Sequence, residues 1–142
     1  MHKKFYASGF LVHLPSQQIL LQQDTSSENL LSQWLLFSGS HTEKDSPERI
    51  FKDVISDLLN IELDIVYPVY SYENENVNQC IVYSEIDALQ DFSPKNGLTF
   101  AWFTFRDIMR LHLTEQTKHD IVVGQRVINA ATRKRNGEHT FQ

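Results

Sequence analysis

The sequence has very little cysteine, and it lacks long apolar runs, repeats and low-complexity stretches. Its single cysteine, Cys80, cannot form an intramolecular disulfide. No apolar run reaches the roughly 20 residues that a membrane-spanning helix needs, and no N-terminal stretch resembles a signal peptide. We therefore expect a cytoplasmic protein with no membrane partner. The lack of repeats and of a linker predicts one domain over residues 1–142, with a flexible tail at the last few residues.

The motifs of several common chemistries are also missing. The chain has no Gly-rich phosphate loop, no Gly-x-Ser-x-Gly elbow and no Cys-x-x-Cys pair. Acidic residues outnumber basic ones by 18 to 13, and a net charge of -5 argues against nucleic-acid binding, which usually needs a basic face. Cys80 lies in the apolar run at residues 80–83, which favours a structural thiol over a nucleophile.

The hydrophobic pattern alternates between strand and helix periods. Segments rich in aromatic and branched side chains favour strands, and apolar residues at helical spacing favour helices. A short apolar stretch at residues 34–37 indicates a further short strand, which ends abruptly at Ser38 and Gly39. This order of elements implies an α/β sandwich. The predicted strands are residues 4–14, 19–23, 61–72, 77–86 and 98–105, and the predicted helices are residues 46–60, 106–111 and 114–135.

The clearest helix start lies at Ser46 and Pro47. Serine is a good N-cap, and proline suits the first helical position, where its missing N–H costs nothing. Apolar residues then recur at helical spacing as far as Leu58. Asn60 is the predicted end of the helix, because asparagine tolerates the left-handed backbone found there.

The segment around this helix matches a spaced pattern: Gly, five residues, Glu, seven residues, then Arg-Glu-U-x-Glu-Glu-x-Gly-U, where U is a bulky aliphatic residue. Counted without gaps, Gly39 falls on the first glycine and Asp45 on the first glutamate. Asp57 falls on a later glutamate, and Asn60 falls on the second glycine. Residues 39–61 thereby resemble the signature of the Nudix (MutT-like) hydrolase superfamily.

Both flanks of this segment resemble the same family. Residues 34–39 look like its tryptophan-to-proline-glycine-glycine entry, with the proline and one glycine replaced. Residues 101–108 are similar to its late Trp-x-x-x-x-Glu-Leu segment, which precedes the C-terminal helix. The similarity covers residues 4–131, and it implies a Nudix-type α/β/α sandwich with a mixed β-sheet.

The helix has lost most of the acidic residues of the signature. In the gapless count Asp53 replaces the arginine, and Val54 and Leu58 replace two glutamates. In the family those glutamates bind a divalent metal, which needs hard oxygen ligands that valine and leucine cannot supply. Some family members draw ligands from outside the motif, and the glutamates within residues 73–85 are candidates for that role.

A second alignment, shifted by one residue, stays open. It pairs Asp53 with Asp57, four residues apart on one face of the helix, which is the spacing of the family's metal pair. The shift breaks the match at residues 46–48, so the gapless count is preferred. Over both alignments, the resemblance implies a Mg²⁺ or Mn²⁺ site formed by Gly39, Asp45, Asp53 and Asp57.

The resemblance implies hydrolysis of a nucleoside diphosphate linked to another group. Asp57 is then the catalytic carboxylate, with Asp53 as its partner in the shifted alignment. His41 in the signature loop and the aromatic residues Trp34 and Tyr83 are the predicted substrate contacts. Because the metal-binding glutamates are replaced, we expect reduced activity.

Two simpler interpretations stay open. The chain is either a catalytically silent domain that binds a nucleotide or related metabolite, or a protein-interaction module. Asp53 and Asp57 are then solvated residues on the polar side of the helix, and Trp34 and Tyr83 are core residues. Dimers are common in the family, so a homodimer also stays open.

Overall fold

A computed structural model of the chain describes residues 5–25, 33–40 and 46–137. Over these residues, seven strands form one mixed sheet that packs against two helices. This arrangement confirms the predicted α/β/α sandwich. The elements are β1 (Phe5–His13), β2 (Gln18–Asp24), β3 (Trp34–Leu35), β4 (Phe37–Ser40), α1 (Pro47–Leu59), β5 (Tyr67–Asn74), β6 (Val77–Glu85), β7 (Leu98–Thr104) and α2 (Glu115–Arg135).

The sheet forks along its middle strand, β1. One edge of β1 pairs in parallel with β6 along residues 5–12. The other edge is divided, because residues 6–9 pair with β4 and residues 11–13 pair with β2. Since β3 pairs with β2 while β4 pairs with β1, the chain passes from one branch to the other at Leu36. The sheet therefore branches between β2 and β4.

Each helix covers one face of the sheet. Phe10 and Leu11 are neighbours in β1 and both are fully buried, but they belong to different core clusters because successive strand side chains point to opposite faces. Phe10 belongs to the cluster that includes Ile121 of α2, and Leu11 belongs to the cluster that includes Phe51 of α1. A Cβ atom on Gly124 would lie 2.8 Å from the Phe10 ring, so only glycine lets α2 approach this closely.

The predicted helix ends are confirmed. The Ser46 hydroxyl accepts a hydrogen bond from the backbone N–H of Arg49 at 3.2 Å, and Pro47 is the first residue of α1. Asn60 ends α1 in the left-handed conformation, with φ 57°. The side chain of Thr114 caps the start of α2 in the same way as Ser46 caps α1.

Two apolar segments differ from the prediction. Residues 61–66 are not a strand, because Ile61 and Leu63 pack against the α1 cluster while the backbone connects α1 to β5. The apolar stretch at residues 34–37 is not a single strand, because it crosses the fork at Leu36. In both segments, burial against a helix or across the fork produced an apolar pattern without continuous strand pairing.

The remaining connections are short. Glu75 and Asn76 join β5 to β6 as a two-residue turn, and both have positive φ, 51° and 67°. The short helix predicted after β7 is a 3-10 helix at Asp107–Arg110. In the part of the chain that the structure describes, no helix is both long and apolar enough to cross a membrane.

Candidate functional site

The two predicted catalytic carboxylates, Asp53 and Asp57, lie on the exposed side of α1. They are one turn apart, and the opposite side of the helix buries Phe51 and Ile55 completely. Both carboxylates therefore belong to the polar side of an amphipathic helix. Their catalytic and metal-binding roles stay predictions.

Gly39, the predicted carbonyl ligand, lies in β4 directly against α1. A Cβ atom at this position would come within 2.8 Å of Val54 Cγ2 and 3.0 Å of Ile50 Cγ2. Only glycine lets β4 and α1 approach so closely. The half-buried side chain of Val54 therefore fills the space beside Gly39, where it packs against the α1 cluster.

The described residues around α1 do not fit a magnesium site, which needs a near-octahedral shell of oxygen ligands. Within the three described ranges, no three His, Cys, Asp or Glu side chains lie close enough together to hold a metal ion. Lys95 donates from Nζ to the backbone carbonyl of Asp57, which places a cation at the C-terminal end of α1, where the helix dipole favours one. His41 and Asp45 lie outside the described residues, so their roles also stay predictions.

The two predicted aromatic contacts pack against other aromatic rings. Trp34 is half-buried and meets Phe103 edge-to-face, with ring centroids 4.8 Å apart. Tyr83 is 1% exposed and stacks on Tyr67 at 5.2 Å. Burial, and then the charge of Glu85, raise the pKa of the Tyr83 phenol. Core packing accounts for both aromatic residues, and their substrate roles stay predictions.

The contacts of Glu85 and the surroundings of Cys80 argue against a catalytic role for either side chain. Arg135 contacts both carboxylate oxygens of Glu85, at 3.1 Å and 2.9 Å. Burial, and then the charge of Glu48, raise the pKa of the half-buried Cys80 thiol. A raised thiol pKa disfavours the reactive thiolate, which agrees with a structural role for Cys80.

A cavity of about 260 Å³ lies at the fork of the sheet, beside the start of α2. Leu36 at the crossing point and Ile81 of β6 form apolar walls, and Tyr72 of β5 adds an aromatic one. Ser8 and Ser38, which are partners across the β1–β4 pair, contribute hydroxyl groups. Apolar walls with a few placed polar groups are typical of small-molecule sites.

The Asp120 carboxylate lines this space, which we therefore name the Asp120 cavity. Asp120 is only 4% exposed, and the described residues that line the cavity include no cation. Tyr70 donates its hydroxyl hydrogen to Oδ1 at 2.5 Å, and Gln116 Nε2 donates to the same oxygen at 2.9 Å. A buried carboxylate is costly unless hydrogen bonds replace its hydration, so these two donors hold it in place.

The same contacts keep the neighbouring phenols neutral. Burial raises the pKa of Tyr70, and the hydrogen bond to Asp120 and its negative charge raise that pKa further. Burial, and then the charge of Asp120, also raise the pKa of Tyr72. Both phenols therefore keep their hydrogens at ordinary pH.

Gln22 adds an acceptor at the fork. It lies in β2, is 9% exposed, and its Nε2 donates to the Leu36 carbonyl at 3.0 Å, which ties the two branches together. Its Oε1 is buried and has no hydrogen-bond partner among the described residues. A buried acceptor without a partner costs free energy, which a donor on a bound ligand would recover.

Only one local pattern in the sequence indicates this site. Asp120, Gly124 and Ile128 share one face of α2 at four-residue spacing, and all three are buried. An acid within an apolar helical stripe is unusual, because aspartate is rarely buried without partners. Its partner Tyr70 lies 50 residues away in the sequence, so no motif connects them.

A larger and more open depression, of about 560 Å³, lies near the turn after β1. Two of its polar groups are already engaged locally. Gln17 Nε2 donates to the Leu14 carbonyl at 2.9 Å, and Thr104 Oγ1 accepts from the Asp107 N–H at 3.1 Å. The smaller Asp120 cavity has the buried charge and the unpartnered acceptor, so it is the better candidate for a ligand site.

Solved structures share this architecture at low sequence identity. MutT from one of two bacteria, Aliivibrio salmonicida or Vibrio cholerae, matches with a TM-score of 0.69 and 13% identity, over 87% of this chain and 96% of that one. A Nudix-family hydrolase from Clostridium perfringens matches with a TM-score of 0.67 and 13% identity, over 88% and 96%. The Nudix domain of Shewanella oneidensis NrtR, in complex with ADP ribose, matches with a TM-score of 0.66 and 13% identity, over 88% and 86%.

No protein-family model matches the sequence, and no curated protein sequence matches it either. At 13% identity, the structural likeness establishes the fold and leaves the activity open. The mixed sheet between α1 and α2 corresponds to these structures over most of each chain. The chain therefore has the fold of the Nudix hydrolases, to which MutT belongs.

Proposed function

We propose that this chain is a Nudix-fold binding module that holds a nucleoside diphosphate derivative in the Asp120 cavity, with metal-dependent hydrolysis weak or absent. The contrast between two sites carries the proposal. The cavity has a buried carboxylate fixed by Tyr70 and Gln116. On helix α1, Asp53 and Asp57 are both exposed, with no third ligand beside them among the described residues.

The burial pattern of α1 supports the gapless alignment with the Nudix signature. In that alignment Ile55 takes a bulky aliphatic position, and it is fully buried, whereas Val54 is half-buried. Asn60 takes the second glycine position, and it has the left-handed backbone that glycine favours. Val54 and Leu58 then stand where the family has metal-binding glutamates, so the loss of hydrolysis follows from the lost ligands.

The shape of the cavity supports a nucleotide-type ligand. Leu36, Ile81 and Tyr72 offer apolar surface to the faces of a flat ring, while Asp120 offers an acceptor to its edge. The Nudix domain of NrtR was solved with ADP ribose, which supports a ligand of the same chemical class here. Such binding needs no metal at α1.

A second candidate function is slow hydrolysis of the same class of ligand. The observation that favours it is the exposure of Asp53 and Asp57 on adjacent turns of α1. With Asp45, which lies outside the described residues, they are the predicted ligands for Mg²⁺ or Mn²⁺. In this case the metal would polarise the phosphoanhydride, and Asp57 would be required for activity.

Calorimetric titration separates the two candidates. ADP ribose and nucleoside diphosphate sugars are titrated into the protein with EDTA, and then with Mg²⁺ or Mn²⁺ in place of EDTA. We expect binding in both conditions, and loss of binding in Asp120→Asn. Asp87→Asn is the matched control, because Asp87 is exposed and does not line the cavity.

A phosphate-release assay on the same ligands completes the test. We expect no metal-dependent release above that of a buffer blank. Release that depends on Mn²⁺ and disappears in Asp57→Asn would establish the second candidate instead. Equal affinity of wild type and Asp120→Asn for the ligand would mean that the ligand does not bind in the Asp120 cavity.

A further inference from the structure

A cavity of about 240 Å³ lies at the C-terminal end of α2. We name it the Tyr67 cavity. Asp120 lies near the start of α2 and Arg135 is its last residue, roughly 22 Å further along the helix at 1.5 Å per residue. The Tyr67 cavity is therefore separate from the Asp120 cavity. Its lining comes from β5, β6 and α2, and consists of Tyr67, Tyr83, Glu85, Ala131, Lys134 and Arg135.

Two tyrosines give this cavity an aromatic wall. The rings of Tyr67 and Tyr83 are stacked, with their planes 24° apart. Both phenols interact electrostatically with Arg135, so their hydroxyl groups lie near its guanidinium. In the part of the chain that the structure describes, neither hydroxyl has a hydrogen-bond partner. The wall therefore offers a flat apolar surface and, beside it, two hydroxyl groups that can donate.

The acid in this lining is neutralised by its neighbour. Arg135 Nη1 donates to Glu85 Oε1 at 3.1 Å, and Nη2 lies 2.9 Å from Oε2, which is itself buried. This two-pronged contact uses two of the five guanidinium hydrogens, so three stay available. Lys134 has no ion pair or side-chain hydrogen bond within the described ranges. The free polar groups of the cavity are therefore donors, and their charge is positive.

The helix dipole explains part of this charge. Arg133, Lys134 and Arg135 lie in the last turn of α2, where the dipole favours cations. The dipole does not explain why two of them line an apolar cavity with an aromatic wall. The chain as a whole has a net charge of -5, so this end of α2 is a local exception. Its charge and its shape are both complementary to an anion that has an apolar body.

We infer that the Tyr67 cavity binds a small aromatic carboxylate. Its ring packs against the wall of Tyr67 and Tyr83, and its carboxylate accepts hydrogen bonds from Lys134 and from the free N–H groups of Arg135. A partner strand added along β5 is a poor occupant of this end of the sheet. Pro68 has no N–H to donate, and the register shifts between Pro68 and Tyr70.

Three probes separate the ring of the ligand from its charge. Indole-3-acetate has both, indole-3-acetamide keeps the ring without the charge, and acetate keeps the charge without the ring. Each is titrated into ¹⁵N-labelled protein, with the backbone amides of Tyr83 and Ala131 as reporters. We expect indole-3-acetate to bind about tenfold more tightly than the amide, because hydrogen bonds to a charged group are lost and solvent screens part of that loss. Acetate should bind most weakly of the three.

A pair of cation variants tests the contact with the carboxylate. Lys134→Met removes the ammonium and keeps an apolar chain, so we expect it to weaken indole-3-acetate about fivefold and to leave the amide unchanged. Arg133→Met removes the same charge from the neighbouring position, which is exposed and does not line the cavity. This control should keep both affinities within about twofold of wild type.

A pair of alanine variants tests the cavity itself. Ala131→Leu places a larger side chain in the cavity at a half-buried helical position, so we expect it to abolish binding of both indole probes. Ala130→Leu makes the same change at an exposed position outside the cavity and should bind as wild type does. Leucine is a good helix former, so both variants should keep the wild-type melting temperature within a few degrees.

Four results would overturn the inference. The first is equal affinity of wild type for indole-3-acetate and indole-3-acetamide, and the second is no binding of indole-3-acetate at all. The third is an equal loss in Lys134→Met and Arg133→Met, because net charge alone would then explain the binding. The fourth is loss of binding in Asp120→Asn with wild-type binding in Ala131→Leu, which would place the ligand in the Asp120 cavity. Nucleoside diphosphate derivatives should bind Ala131→Leu as they bind wild type, so this test and that of the proposed function fail independently.

Discussion

Tyr70 and Asp120 join the edge strand β5 to helix α2 through a hydrogen bond of 2.5 Å between phenol and carboxylate. The two residues are 50 positions apart, and neither belongs to the signature segment at residues 39–61. Their contact brings one wall of the cavity to the start of α2. The bond therefore stabilises the fold and holds the Asp120 carboxylate in place inside the cavity.

The first prediction concerns this bond. Tyr70→Phe removes the hydroxyl and leaves Asp120 Oδ1 with Gln116 as its remaining recorded donor. We expect the free energy of unfolding to fall by about 1.5–3 kcal/mol, the usual worth of a hydrogen bond to a charged group. Urea denaturation measures it. Tyr6→Phe is the control, since Tyr6 is 44% exposed, and it should change stability by less than about 0.5 kcal/mol.

The second prediction concerns high pH. The pKa of Tyr70 is raised in the folded state by burial and by Asp120, so the unfolded chain loses this proton first, near the ordinary value of 10.0. The stability that Tyr70 contributes is therefore present below that pH and is lost as the pH rises above it. Denaturation midpoints of wild type should fall more steeply above pH 10.0 than those of Tyr70→Phe. Parallel curves would contradict the shift.

The third prediction concerns the contact between β4 and α1. Gly39→Ala would bring Cβ within 2.8 Å of Val54 Cγ2, so we expect a loss of about 1–3 kcal/mol from overpacking. Val54→Ala removes that methyl group, so the double variant should be more stable than the sum of the two single effects. A double-mutant cycle measures this coupling. Strict additivity would mean that Gly39 and Val54 do not meet.

The fourth prediction tests which alignment describes α1. In the gapless alignment, Val54→Glu with Leu58→Glu restores two carboxylates at the family's metal positions. We expect this double variant to gain a Mg²⁺- or Mn²⁺-dependent rise in melting temperature, because a ligand that binds only the folded state stabilises it. Ser56→Glu, which restores a glutamate only in the shifted alignment, is the comparison. A rise confined to Ser56→Glu would favour the shifted alignment.

The ends of α1 could be predicted from the sequence, because helix caps depend on local residues. Ser46 and Asn60 each act within one turn of their own position, and both have the predicted conformation. The exposed positions of Asp53 and Asp57 also follow from a local pattern, the helical spacing of the apolar residues.

The Asp120 cavity could not be predicted, because long-range pairing creates it. Ser8 meets Ser38 through the β1–β4 pair, and Asp120 meets Tyr70 through the packing of α2 on β5. Neither contact has a counterpart in local spacing. The prediction of a single strand at residues 34–37 failed for the same reason. The chain crosses between the two branches of the sheet at Leu36, and this crossing depends on long-range pairing of β3 with β2 and of β4 with β1.

The central claim is that ligand binds in the Asp120 cavity and does not need a metal at α1. Amide NMR spectra of ¹⁵N-labelled protein, titrated with ADP ribose in EDTA, test it most directly. We expect the largest shifts on the Gln22 side-chain amide and on the backbone amides of Thr117 and Asp120. Shifts that centre on Asp53 and Asp57, and that appear only after Mg²⁺ is added, would contradict it.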